Sequence, residues 1–410
     1  MKKKYVAFCV GGLKRLAAKI NGDRFLLKKI CENFDKLFII NTGNLSFLKK
    51  NNLYNKRDFF INKKNSKLII KNKKLKLPKN IEFFNPQNVM DFKNFLKDKD
   101  IIAINSFGRT FNDLKIHFLF KYFNIKQIQI SNIGNLQSQI VPVKKINVSA
   151  WYYKALHDLG HKMTVILSNL HLVPKIDIRF ISNKETFELL KKNTLFKKLN
   201  FFYCKKHILI NSSAYDIINS ARPIINEKKI VLLDIMFEHE ERLRMGSEPK
   251  KKLVQDFYKK INKLLSYLSK TYKKKVVICI HPKDNLNKKK KIFSNYKVVK
   301  YASRENIFKA FLVFFFDTSA IVDAVLLKKR IFAITSKAMD KNQLSSAIEY
   351  HKVVGMPILD LDDKNIFNRK KFLKKVNIKG YSNYIKKNIA PDGKNFGYKK
   401  IIKIVKNNFF

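Results

Sequence analysis

The sequence predicts an α/β fold made of two Rossmann-like domains, each a parallel sheet flanked by helices. Three observations lead there. Short apolar runs of strand length alternate with longer helical patterns through both halves of the 410 residues. At roughly 150 residues per domain, the length suits two domains, and such a chain buries enough surface to need no disulfide or metal staple. The composition, 46% hydrophobic and 13% aromatic with 12 Gly and 9 Pro, excludes disordered, collagen-like and linker-dominated chains.

In the N-terminal half, Tyr5 to Val10 reads as a strand closed by Gly11-Gly12, and residues 13–34 as a helix. Leu37 to Asn41 is a second strand, and the Lys/Asn-rich stretch Lys49 to Lys79 reads as a variable insertion. Ile101 to Asn105 is the next strand, followed by Ser106-Phe107-Gly108-Arg109 and a helix to about Phe123. Further strands fit Gln127 to Ile130, Ile176 to Ile181 and His207 to Ile210. The C-terminal half repeats the pattern, with strands at Ile230 to Leu233, Val276 to Ile280, Phe311 to Phe316 and Ile331 to Thr335. Helices are expected over 250–274, near Arg304 to Ala310, and from Ala320 to Lys328. The longest carries Leu253, Phe257, Ile261, Leu264 and Leu268 at spacings of 4, 4, 3 and 4, one helical face. The expected division is residues 1–222, 223–395 and 396–410, the last a basic amphipathic helix.

The charge sum is 86 Lys and Arg against 31 Asp and Glu, or +55. The lysines run along the whole chain instead of collecting on one element with interleaved aromatics, so no specific nucleic-acid partner is expected. Such a surface still attracts phosphates, acidic sugars and anionic headgroups. The C-terminal segment Tyr398 to Phe410, with Ile401, Ile402, Ile404 and Val405 among lysines, suits either an anionic membrane surface or packing back on the first domain. Cys9, Cys31, Cys204 and Cys279 are scattered with no CxxC pair, and no apolar run reaches 18 residues. The expected location is cytoplasmic, with peripheral attachment at the inner face of the plasma membrane.

In an open parallel sheet ligands bind beyond the carboxyl ends of the strands. Three sets of residues follow predicted strands of the C-terminal half: Asp234; His281-Pro282-Lys283; and Asp317-Thr318-Ser319. His281 brings two ring nitrogens, Pro282 fixes the backbone after it and Lys283 adds a cation, a set suited to ribose and phosphate. Thr318 and Ser319 open a helix, where hydroxyls and free N–H groups suit an anion or simply cap the helix.

These residues carry a resemblance. Leu232-Leu233-Asp234, Glu238-His239-Glu240, Ile280-His281-Pro282-Lys283, Asp317-Thr318-Ser319-Ala320 and the strand at Lys329-Arg330-Ile331 resemble bacterial surface-polysaccharide glycosyltransferases of the GT-B fold. The chain is similar to the sialyltransferase and polysialyltransferase group, which shares an His-Pro motif and a Ser/Thr motif. The match covers residues 207–336, including Ser213-Ala214-Tyr215-Asp216, and extends to the N-terminal half only in element order. It implies two domains about a cleft and a nucleotide-sugar donor, typically CMP-linked. By the same resemblance His281 contacts the nucleotide, Thr318 and Ser319 hold its phosphate, and Pro282, Lys283 and Asp317 flank them.

The N-terminal half lacks the acidic pair followed by Gly that supplies the general base in that group. Asp234 and the Glu238, Glu240, Glu241 cluster are the carboxylates nearest by position, with a cap or a solvated loop as the plainer roles. Gly11, Gly12, Ser106, Arg109, Glu238, His239 and Glu240 are candidates for the acceptor side, Gly11-Gly12 equally reading as a tight turn. Metal ligation is not expected. Asp98-Lys99-Asp100 precedes its strand, Asp360-Leu361-Asp362 reads as a polar turn, and His157 and His161 lack a third ligand. No cofactor beyond the donor is expected.

The expected function is therefore transfer of a sugar, sialic-acid-like, from a CMP-linked donor to a cell-surface polysaccharide or lipooligosaccharide acceptor. The rival readings are a CDP-polyol phosphotransferase on a similar scaffold and a non-catalytic basic protein bound to nucleic acid or membrane.

Overall fold

The structure, a computed structural model, describes residues 4–11, 23–45, 59–62, 67–70, 80–106, 113–131, 148–191, 204–221, 226–235, 237, 251–281, 284–316 and 318–410. The chain divides into two compact units. The first joins Met1–Asn132, Ala155–Ser213 and Asp392–Phe410; the second joins Ile133–Lys154 and Ala214–Pro391. The crossing at Ser213 precedes the boundary expected at 222, and the C-terminal segment belongs to the first unit.

The first unit begins with β1 (Tyr5–Val10), α1 (residues 23–31) and β2 (Lys36–Asn41). Within the expected insertion, β3 (Phe59–Asn62) and β4 (Lys67–Ile70) pair as an antiparallel ribbon. Then come β5 (Ile81–Phe84), α2 (Val89–Lys97), β6 (Ile101–Ser106), α3 (Leu114–Tyr122) and β7 (Lys126–Ser131). After them follow α4 (Val148–Asn169), β8 (Ile176–Ile181), α5 (Lys184–Lys191) and β9 (Cys204–Leu209). Seven of these strands form one parallel sheet in the order β5-β2-β1-β6-β7-β8-β9.

Alternate residues of β1 feed two cores, because successive side chains on a strand point to opposite faces. Val6, Phe8 and Val10 pack with Leu26, Leu27 and Ile30 of α1, while Ala7 and Cys9 pack with Phe92 of α2 and with Ile116 and Phe120 of α3. Burial on both faces makes the strand read as an unbroken apolar run.

Besides residues 133–154, which include the start of α4, the second unit comprises α6 (Ser213–Ala221, entered at Ala214), β10 (Lys229–Leu233), α7 (Lys251–Tyr272), β11 (Lys275–Ile280), α8 (Leu286–Ile292) and β12 (Lys297–Lys300). It then runs through α9 (Ser303–Phe308), β13 (Ala310–Phe315), α10 (Ile321–Leu326), β14 (Arg330–Thr335), α11 (Lys341–Val354), β15 (Ile358–Asp360) and α12 (Ile378–Tyr384). Its sheet has the order β12-β11-β10-β13-β14-β15, every pair parallel. Phe257, Ile261, Leu264 and Leu268 of α7 cover one face with Leu232, Ile278 and Phe314, as their spacing predicts. Ile321, Val322 and Val325 of α10 cover the other with Val231, Val277 and Val313.

In both sheets the chain builds outward from a central strand, returns, and builds outward the other way. The reversal falls between β1 and β6 in the first unit and between β10 and β13 in the second. The crevice at such a reversal is where parallel sheets receive ligands.

The last helix, α13 (Gly397–Phe409), resolves the two expectations for the C-terminal segment. Ile401, Ile402 and Val405 are buried in the first unit's core beside Leu26 and Ile30. Lys400 Nζ reaches Asp392 Oδ2 at 2.8 Å and the Leu209 carbonyl at 3.0 Å. Asn211 Nδ2 donates to the carbonyls of Gly393 (2.8 Å) and Asn395 (2.6 Å). The apolar face is spent inside the protein, so this helix does not offer it to a membrane. Truncating Ile401 to Ala is expected to cost about 2–5 kcal/mol of unfolding free energy, read by urea denaturation, because the methylenes removed are buried.

Candidate functional site

At the carboxyl edge of the second sheet, β10 lies between β11 and β13. Asp234 continues the ladder past β10, its N–H donating to the Cys279 carbonyl at 3.0 Å. His281 follows β11 and is exposed; Thr318 is half-buried and Ser319 exposed, just beyond β13. The imidazole and the hydroxyls thus leave the same edge from two strands that share one neighbour, about 10 Å apart across the sheet. Thr318 Oγ1 accepts the Ala320 N–H at 3.3 Å, and the Thr318 carbonyl accepts the Ile321 N–H at 3.4 Å. The turn leading into α10 is therefore preformed, with Thr318 Oγ1 accepting the Ala320 N–H and Ser319 exposed.

Behind this edge lies a buried polar cluster that position along the chain does not reveal. Lys289, on α8, is almost wholly buried, and its ammonium sits 2.5 Å from Asp234 Oδ2, 3.3 Å from Asp284 Oδ2 and 3.0 Å from the Ile235 carbonyl. It also meets the Tyr258 hydroxyl. Asn285 caps α8 by accepting the N–H groups of Asn287 and Lys288. Asp284 donates its N–H to the His281 carbonyl at 2.9 Å. A single buried cation therefore ties the end of β10 to the turn that carries His281. Burial drives the Asp234 carboxyl up to about 6 although Lys289 pulls it down, and it drives the Tyr258 phenol up as well.

The Asp234 side chain is buried against Lys289, which favours a structural ion pair over the general-base role expected of it. A second buried carboxylate, Asp323 on α10, is held by Arg304 of α9 at 2.9 Å (Nε to Oδ2), which braces the turn bearing Thr318 and Ser319. Burial raises Asp323 while Arg304 lowers it.

In the first unit, Gly11 follows β1 and Ser106 ends β6, so both stand at the strand reversal. Ser106, Asn105 and Asp23 line a small hollow floored by Phe8, Leu26, Ile104 and Ile130, with room for about one water. Asp23, in α1, is a carboxylate at this edge that the sequence reading missed. The signal available was its place in the first helix after a predicted strand.

Gly12, Arg109, Glu238, His239, Glu240, Pro282, Lys283 and Asp317 lie outside the described residues, as do Glu241 and the side chain of His157. Asp360 and Asp362 form a polar turn: Asp360 Oδ1 accepts the Asp362 N–H at 3.0 Å, and Asp362 binds Lys260 Nζ at 2.6 Å and the Lys337 N–H at 2.7 Å. Asp98 caps the end of α2. Among the described residues no group of three or more His, Cys, Asp or Glu could hold a metal ion.

The sequence matches no protein-family model and no curated protein. Solved structures do match it. A variant of the wall teichoic acid polymerase TagF aligns with a TM-score of 0.56 at 11% identity, over 99% of this chain and 89% of that one. The same polymerase soaked with CDPG gives 0.55 at 12% identity, over 100% and 89%. The fold is GT-B. A candidate UDP-N-acetylglucosamine 2-epimerase from Listeria monocytogenes gives 0.50 at 11% identity, over 100% and 97%. At these identities the likeness is one of fold.

Replacing Lys289 by Met strands two buried carboxylates and is expected to cost about 3–5 kcal/mol in urea unfolding, most of it recovered by adding Asp234→Asn. A pH series supplies a second check. The folded Asp234 binds its proton more tightly than an unfolded Asp, so the native state holds the extra proton from about pH 4 to 6. Wild-type stability relative to Asp234→Asn is therefore greatest at and below about pH 4, declines between about pH 4 and 6, and levels off above that.

Proposed function

We propose that this chain is a GT-B glycosyltransferase that moves a sugar from a nucleotide donor, CMP-linked, to a cell-surface polysaccharide or lipooligosaccharide. The observation that supports it is the common edge: an exposed imidazole after β11 and a braced hydroxyl turn after β13, either side of β10 at the strand reversal. On this reading His281 hydrogen-bonds the nucleotide, and Pro282, Lys283 and Asp317, outside the described residues, belong to the same donor-binding set. Thr318 and Ser319 hold the phosphate and stabilise the negative charge that grows on it as the nucleotide leaves. Lys289 and Asp234 do not touch substrate; they fix the turn from which His281 projects.

The acceptor belongs to the first unit, near Gly11, Ser106 and the neighbouring Gly12 and Arg109. An acceptor hydroxyl attacking the donor must lose a proton. Glu238, Glu240 and Glu241, outside the described residues, are the carboxylates this reading keeps for that task. This reading needs no metal, the departing phosphate being met by the hydroxyls of Thr318 and Ser319.

A specific observation favours a second reading. The TagF structures score above the epimerase, and one was soaked with CDPG. A polyol-phosphate transferase taking a CDP-linked donor would use the same edge residues for its phosphates and the same proton acceptor.

Cytidine nucleotides should raise the melting temperature in a concentration-dependent way. His281→Ala should weaken that response about tenfold to a hundredfold, the worth of a hydrogen bond to a charged group, while leaving the unliganded melting temperature unchanged because His281 is exposed. Response to uridine nucleotides alone would overturn the donor, and an undiminished response in His281→Ala would overturn the site. Turnover with a CMP-sugar or with a CDP-polyol distinguishes the two readings.

A further inference from the structure

Helix α4 is amphipathic in the wrong sense for a water-facing helix. Toward the sheet it buries Gly160, Thr164, Val165 and Ser168, three of them small or hydroxylic; Thr164 satisfies itself by donating to the Gly160 carbonyl at 2.7 Å. Outward it shows Leu159 (57% exposed), Met163 (45%), Ile166 (42%) and Leu170 (63%). These four recur at intervals of 4, 3 and 4, so they form one stripe about 16 Å long on a single face. Scattered exposed apolar residues are ordinary in a folded protein, but a continuous stripe marks an interaction surface.

The stripe does not end with α4. Lys121 of α3 donates through Nζ to the carbonyls of His171 and Leu172 at 3.2 and 3.3 Å, which sets the end of α3 against the end of α4. There α3 exposes Phe118 and Tyr122, one turn apart, the latter at 73%. The Tyr122 ring carries Lys93 Nζ at 5.6 Å from its centroid. Lys162 stands exposed between Leu159 and Met163. Neither α3 nor the stretch of α4 from Leu159 to Asn169 contains an acidic residue.

Charge decides what covers this surface. A second copy would bring another +55 against the first, and repulsion between two such bodies opposes pairing. An anionic bilayer accepts both components at once: aliphatic side chains enter the headgroup boundary, Tyr and Phe sit at its level, and lysines reach its phosphates along their own methylenes. We propose that the α3–α4 face is the surface by which the first unit lies on an anionic membrane. The proposal is independent of the donor reading. It also moves membrane attachment away from α13, whose apolar side is consumed in the core.

Flotation with vesicles tests it. The full chain should bind phosphatidylcholine vesicles containing phosphatidylglycerol and bind pure phosphatidylcholine far less. The triple variant Leu159→Gln, Met163→Gln, Ile166→Gln should lose at least about tenfold in affinity while keeping its melting temperature, each side chain being exposed. Lys162→Glu should weaken binding at low salt and little at high salt. Undiminished binding by the triple variant would overturn the proposal, leaving a diffuse cationic surface as the cause. So would a wild-type dimer that the triple variant splits, or a melting temperature that collapses in the triple variant, which would show the face to be covered by the chain itself.

Discussion

The second unit's binding edge depends on one enclosed cation. Lys289 is taken out of water and surrounded by two carboxylates, a carbonyl and a phenol, and those partners come from three stretches of chain: Asp234–Ile235, Tyr258 and Asp284. Removing a charge from water is expensive, so such a group persists only where the surrounding structure meets it fully. Meeting it fixes Asp234, Ile235, Asp284 and Tyr258 relative to one another, and through the Asp284 N–H it fixes the His281 carbonyl. The exposed imidazole owes its place to a residue buried beneath it. Arg304 and Asp323 act similarly under the neighbouring hydroxyl turn, so two ion pairs brace the two halves of the edge.

How much of this the sequence disclosed follows from burial. β1, β10, β11 and β13 sit inside their sheets with both faces covered, so beyond the opening Lys229 of β10 and Lys275 of β11 their positions are apolar and the runs stand out. The edge strands β5, β12 and β15 are short, and β12 reads Lys-Val-Val-Lys, as an edge exposed to other chains should. They were not legible. The placement of His281, Thr318 and Ser319 at one edge was legible, because parallel topology sends every strand end to the same side. The cluster was not: Lys289 stands in a row of four lysines, Lys288 to Lys291, and nothing in the row tells which one the helix turns inward. Nor did the sequence show that Asp234 is buried, since position along the chain fixes a residue's edge but not whether its side chain faces solvent.

Helix α4 shows the complementary failure. Its outward apolar residues carry the periodicity from which a buried face would be inferred, while the residues that meet the sheet are small. On the covered side, Val165 packs against Ile176 of β8. Hydrophobic periodicity reports that a helix has two faces; it does not report which of them the fold uses.

The order in which the polypeptide emerges during synthesis gives α13 another significance. Ile401, Ile402 and Val405 complete the core that β1 and α1 begin, yet residues 214–391 of the second unit are made in between. Until they are finished, the nascent first unit keeps Leu26, Ile30 and their neighbours uncovered, a sticky intermediate of the type chaperones bind. The second unit, contiguous over nearly its whole length, faces no such wait, so the later-made half is positioned to reach its native state before the earlier one can close.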